Sequence, residues 1–174
     1  MIYIAFEKCK NTPASQHEAG VSAKNKLFSH FGKNDEVKKN ENGKPYIDNP
    51  DYHLSISHSG DLAACGLRCK AENYELPDDI FTIFEDSEGE IGIDIQVFPF
   101  DNDLERLNKI GTRFFCKTFD TAEDFVYHWT KAEAFCKYNG SVLADSFKAD
   151  FNNKSFFCGT VEFNSAKYIM SVCY

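Results

Sequence analysis

Hydrophobic and polar residues alternate with two different periods along this chain, and the switches between them outline the elements. Residues 2–7 alternate and are rich in β-branched and aromatic side chains, which predicts a strand. Asn11-Thr12-Pro13 breaks it, and apolar positions at Val21, Leu27, Phe28 and Phe31 then predict a helix over residues 15–31, weakened by Gly20 and ended at Gly32. A polar loop over residues 38–42 leads into an extended segment at Gly43-Lys44-Pro45-Tyr46, because proline biases the residue before it toward extended backbone. Residues 53–57 read as a strand with Leu54 and Ile56 on one face and His53, Ser55 and Ser57 on the other. His58-Ser59-Gly60-Asp61 is expected to turn, and residues 62–67 to form a buried strand. Residues 70–90 form an acidic excursion around Ile80, read as a hairpin or insertion.

The second half begins with the clearest strand. Ile91, Ile93 and Ile95 share one face, while Gly92, Asp94 and Gln96 share the other. Helical spacing follows at Leu104, Leu107, Ile110 and Phe114, then over residues 123–138, with Asp120 or Thr121 as the cap. Trp129, Glu133 and Lys137 stand four apart on one face of that last helix. Three aromatic-rich runs, at 147–151, 155–163 and 167–174, are separated by the turn formers Asn152-Asn153 and Asn164-Ser165. This order predicts an α+β chain of two comparable halves, residues 1–88 and 89–174, with no internal repeat at residue level.

Composition narrows the class. With 174 residues, 43% of them hydrophobic, the chain is long enough for one sizeable core or two small packed lobes. No apolar run approaches a membrane span of about 18 residues, and the first residues lack the pattern of a secretory signal. The seven cysteines include no zinc-like spacing, so free thiols in a reducing cytoplasm are expected. A net charge of −8 argues against a nucleic-acid partner. Charge is nonetheless uneven: no Lys or Arg occurs from Glu72 to Glu105, whereas the first 44 residues carry eight lysines, which could face an anionic partner or ligand.

Three stretches carry candidate chemistry. A carboxylate alternating with isoleucines needs a partner if the sheet is covered, and Asp94 with Glu133 supplies the oxygen ligands that Mg²⁺ prefers, with Gln96 holding the metal directly or through water. Asp94 would equally be an ordinary solvated acid on an edge strand. Ser57 and His58 in a turn would cradle a phosphate with hydroxyls, N–H groups and an imidazole, and Lys44 or Lys137 would add a point charge. Trp129 reads as a core anchor.

Taken together, Gly43-Lys44-Pro45, Ile56-Ser57-His58-Ser59-Gly60-Asp61, Gly92-Ile93-Asp94-Ile95-Gln96 and the Trp129, Glu133, Lys137 helix resemble the 4′-phosphopantetheinyl transferases of the Sfp type, over about residues 43–140. The resemblance implies a monomeric pseudodimer of two similar α/β lobes, each a small, mainly antiparallel sheet packed on helices, with coenzyme A between them. It implies transfer of phosphopantetheine from coenzyme A to a serine of an apo acyl or peptidyl carrier protein, with Mg²⁺ on Asp94 and Glu133. Glu133 would also accept the serine proton, Lys137 would contact phosphate, and Lys44, Ser57 and His58 would bind the 3′-phosphate and adenosine end. Lys24 and Lys26 are candidates to face an acidic carrier. Two positions depart from the family pattern: Gln96 stands where a second acid is usual, and Ala132 where a lysine is usual. These departures keep open a rival, a relative that binds coenzyme A or a carrier without turnover. A different metal-dependent phosphotransferase or hydrolase using the same cleft is a third reading.

Overall fold

The structure is a computed structural model that describes residues 1–70, 76–83, 88–99, 103–146 and 151–174. In chain order its elements are β1 (Ile2–Lys8), α1 (Pro13–His30), β2 (Val37–Lys39), β3 (Pro45–Ile47), β4 (His53–Ser59), β5 (Leu62–Arg68) and β6 (Ile80–Ile83). These are followed by β7 (Gly92–Phe98), α2 (Leu104–Phe115), α3 (Ala122–Asn139), α4 (Leu143–Ser146), β8 (Phe156–Phe163) and β9 (Ala166–Cys173). All strand pairs are antiparallel: one sheet runs β4-β5-β1-β6, a second β7-β9-β8, and β2 and β3 form a two-stranded ribbon. The α+β class expected from the sequence is thus observed.

Strand alternation stacks these pieces in layers. On β1, Tyr3 and Ala5 join Ala23, Leu27 and Phe28 of α1 in one core. Ile2 and Ile4 point the other way and meet Ile91, Ile93, Ile95, Tyr168, Met170 and Val172 in a second core between the two sheets. These isoleucines are essentially inaccessible, and each contributes roughly 1.5–3 kcal/mol by leaving water. On the far side of the second sheet, Phe125, Val126 and Ile169 form a third core with Leu107 and Phe119. The outcome for the site is simple: with its isoleucines committed to the inter-sheet core, β7 must turn Gly92, Asp94 and Gln96 toward α3.

Four expectations change. The first helix begins two residues earlier, because Thr12 caps it by accepting the Ser15 N–H and Pro13 suits the first turn. Gly20 does not weaken that helix so much as seat it, since a Cβ there would lie 2.9 Å from Ile56 Cγ2 of β4. The segment at 80–83 does not form a separate hairpin among the described residues: β6 pairs with β1 at one edge of the first sheet. Residues 71–75 and 84–87 lie outside the described residues. Of the three closing runs, two are strands; Phe151–Asn153 is a single 3₁₀ turn, and residues 147–150 lie outside the described ones. Thr121 supplies the cap of α3.

All seven cysteines are free thiols. Among the described residues no helix is long and apolar enough to cross a membrane.

Candidate functional site

Three serines join the two sheets. The backbone N–H groups of Ile93, Ile95 and Val97, on the edge of β7 turned away from β9, donate to the hydroxyls of Ser55, Ser57 and Ser59 at 3.0, 3.2 and 3.0 Å. Side chains of one strand therefore satisfy the open edge of another, and the buried donors are not left unpaired. The ladder fixes the register of β4 against β7 and sets Ser57 beside Asp94.

The expected turn at His58-Ser59 is instead strand. β4 runs through Ser59 and only Gly60 and Asp61 turn, because the β4–β5 ladder pairs His58 with Ala63 and Ser59 with Leu62. His58 shares the α1 side of β4 with Ile56, opposite to Ser57. Both residues nevertheless border the same cleft, because β4 is the outer strand of its sheet.

That cleft encloses about 370 Å³ and is lined by Ile56, Ser57, His58, Asp94, Ile95, Gln96, Trp129, Glu133 and Lys137. Six of the seven residues singled out from the sequence for catalysis or metal binding, or for the adenosine end beside them, are there by tertiary packing: Asp94, Gln96, Glu133, Lys137, Ser57 and His58. Asp94 is 6% exposed, and its Oδ1 accepts from Ser57 Oγ at 2.8 Å and from Lys137 Nζ at 2.8 Å. A buried acid with two donors is the paired arrangement that burial requires, so the solvated edge-strand alternative does not hold.

Two close approaches place α3. A Cβ on Gly92 would lie 1.9 Å from Ala134 O and 2.4 Å from Tyr138 N, so only glycine lets the helix backbone rest on β7. Thr130 and Ser171, both fully buried, share a hydroxyl hydrogen bond of 2.8 Å. With that rotation fixed, Glu133 and Lys137 face the strand acid. Burial and the Asp94 charge hold the Glu133 carboxyl above the usual range, against the opposing pull of Lys137. Burial and the Lys137 charge lower the His58 imidazole. Glu133 has no hydrogen-bond or ion-pair partner among the described residues. Trp129 stacks on Phe125 at 5.9 Å and abuts Phe115, so it anchors the third core while its edge borders the cleft.

The donor set suits a small dication. Two carboxylates share one ammonium, which leaves excess negative charge in a half-closed cleft, and the Gln96 amide adds a neutral oxygen. Mg²⁺ is held by one or two carboxylates and keeps several waters, so Asp94, Glu133 and Gln96 fit it. Among the described residues no group of three or more His, Cys, Asp or Glu side chains is arranged to hold a metal ion.

The structure separates Lys44 from this cleft. Its ammonium donates to Glu90 Oε2 and, at 2.8 Å, to Tyr138 O, and it borders a different cavity. Ala132 is fully buried, and Lys131 sits over the Phe156 ring 5.9 Å away, so neither faces Asp94. Lys26 is spent on Glu7 and Asp79, and Lys24 lies over Phe28. Two further residues stand beside the cleft. His17 and Lys39 border a 230 Å³ cavity with Gly43, Pro45, Ile56 and His58, and this cavity meets the acidic cleft along Ile56 and His58. The sequence reading counted Lys39 only among the eight N-terminal lysines that could face an anion, in what read as a loop, and did not single out His17, which lies on an ordinary helix.

The chain matches no protein-family model, and no curated protein matches it.

Proposed function

We propose that this protein is a Mg²⁺-dependent 4′-phosphopantetheinyl transferase. It transfers phosphopantetheine from coenzyme A to a serine of an apo acyl or peptidyl carrier protein and releases adenosine 3′,5′-bisphosphate. The observation that carries this reading is the pairing, in one cleft, of a buried strand acid held by Ser57 and Lys137 with an unpartnered, raised Glu133. The adjoining cavity with His17, Lys39 and His58 supports it, since it offers an ammonium and two imidazole hydrogen-bonding groups to the phosphate and adenosine end of the same ligand. In this reading the two sheets belong to the two lobes of a pseudodimer, residues 1–88 and 89–174, and the cleft between β4 and α3 is the active site. One chain suffices, so the protein acts as a monomer, and seven free thiols suit the cytoplasm.

Asp94 and Glu133 would hold Mg²⁺, with Gln96 binding directly or through water. When bound, the ion neutralises charge on the pyrophosphate. Lys137 binds the same phosphates and holds Asp94 in an ion pair. Glu133 removes the proton from the carrier serine, whose oxygen bonds to the phosphorus bearing pantetheine while the bond to the adenosine bisphosphate breaks. A carboxylate raised by burial is a better base than an exposed one. Gln96 favours a second reading, a coenzyme A-binding relative without turnover.

Mass spectrometry decides between them. Fatty-acid, polyketide and nonribosomal-peptide apo-carriers incubated with the protein, coenzyme A and Mg²⁺ are expected to yield one carrier that gains a single phosphopantetheine. Coenzyme A binding that ignores Mg²⁺, with no gain on any carrier, would establish the second reading.

A further inference from the structure

We propose that Lys44 is a positioning residue and not a phosphate ligand: with Asn42 and Glu90 it clamps the β2–β3 ribbon onto the C-terminal end of α3 and so fixes the approach of Glu133 and Lys137 to Asp94. The catalytic consequence rests on the transferase reading; the clamp does not.

The end of α3 leaves carbonyls to be satisfied. Gly140, left-handed at φ 65°, donates its N–H to Cys136 O and Lys137 O, and Ser141 donates to Cys136 O. Tyr138 O is left over, and Lys44 Nζ supplies its donor at 2.8 Å. Asn42 Nδ2 donates to Gly140 O at 2.7 Å. A positive charge at a helix C-terminus also complements the helix dipole. The ribbon turn that presents these groups is itself locked: Asn40 Oδ1 accepts the N–H groups of Asn42 and Lys44, and Gly43 takes φ 81°.

Glu90 ties this joint to the strands. Glu90 stands four residues before Asp94 in sequence; one of its oxygens takes Lys44 and the other lies 3.2 Å from His53 Nδ1 of β4. His53 and Lys44 together hold the Glu90 carboxyl down at about 2 despite its partial burial. A phosphate at Lys44 would have to displace a carboxylate of the same sign. In the 460 Å³ cavity beside the joint, Lys44 and His53 both pair with Glu90, and the Lys44 N–H is taken by Asn40. The Lys44 side chain is only 11% exposed.

The test compares Lys44→Met, Glu90→Gln, their double variant and Lys44→Arg in the full chain. Amide hydrogen exchange over residues 137–141 and the Glu133 carboxyl titration by NMR are read without any substrate. Calorimetry with coenzyme A and Mg²⁺ reads ligand affinity. Lys44→Met and Glu90→Gln are each expected to speed exchange at the helix end about tenfold and to move the Glu133 titration, with the double variant no worse than either single one. Coenzyme A affinity is expected to stay within about twofold while turnover falls about tenfold, and Lys44→Arg is expected to restore exchange. Weakened coenzyme A binding in Lys44→Met with Glu90→Gln neutral would overturn the proposal, as would unchanged exchange in both. If Lys44→Met does not fold, Glu90→Gln and Lys44→Arg still decide it. If the native protein transfers nothing, the function fails while exchange and the Glu133 titration still decide the clamp.

Discussion

Ser57 donates a 2.8 Å hydrogen bond to Asp94 Oδ1 while its oxygen accepts the N–H of the next residue, Ile95, at 3.2 Å. One hydroxyl thus sets both the charge environment of the acid and the register between two sheets that share no ladder. Ser57→Ala strips a buried N–H and a buried carboxylate of a partner, so a loss of about 1–3 kcal/mol in urea unfolding is expected. Asp94→Ala strands Lys137, which is 29% exposed and can draw in water, so about 3 kcal/mol is expected, with loss of all transfer.

Glu133 is predicted to trade stability for activity. Its raised carboxyl binds a proton more tightly folded than unfolded, so the native state loses stability as pH rises from the ordinary glutamate value through the raised one. That cost is fully present above the raised value. Glu133→Gln removes it, and calorimetric unfolding is expected to show a gain of roughly 0.5–2 kcal/mol in a variant that transfers nothing. In the native enzyme, turnover is expected to rise with pH as Glu133 deprotonates.

Acid unfolding is expected in two separable steps. His128 is pushed down to about 4 by burial and by Lys117 and Lys131, so its contribution is complete above about pH 6.5 and is lost as pH falls toward 4. Glu90 contributes above its ordinary value near 4.5 and loses that contribution as pH falls through about 2. His128 contacts Phe115, Phe119 and Phe151, so His128→Phe keeps the packing and is expected to abolish the upper step. Glu90 is 45% exposed, so Glu90→Gln is expected to cost only about 1 kcal/mol at neutral pH and nothing near pH 2.

Gln96→Glu tests the metal reading. A third acid on the α3 side of β7 adds charge where two carboxylates already repel, so the empty protein is expected to be less stable and Mg²⁺ affinity higher, by about tenfold or more in calorimetry. Unchanged affinity would remove Gln96 from the metal site.

Much of this was legible along the chain because the signals are local. Ile91, Ile93 and Ile95 alternate, and alternation alone assigns Asp94 to the opposite face. The four-residue spacing of Trp129, Glu133 and Lys137 assigns them to one side of a helix. Glycine was the least legible residue. Gly20 and Gly92 look like weaknesses by propensity, whereas each is where another element presses within 3 Å of a Cβ position. The strand character of His58 was hidden for a similar reason: Gly60-Asp61 announces a turn, but only the ladder with β5 decides where the strand stops.

By itself, then, the sequence determined the main helices and strands, the faces on which Asp94, Glu133 and Lys137 stand, and the α+β class, since each follows from periods of two and about 3.6 residues. Tertiary structure alone decided which faces meet. It brought β6 onto β1, three serines onto the edge of β7, and α3 onto Gly92. It also gave Lys44 to Glu90 and Tyr138, away from the acidic cleft. Partners far apart in sequence are chosen by close packing and by the need to satisfy every buried polar group, and neither constraint acts until the chain has folded.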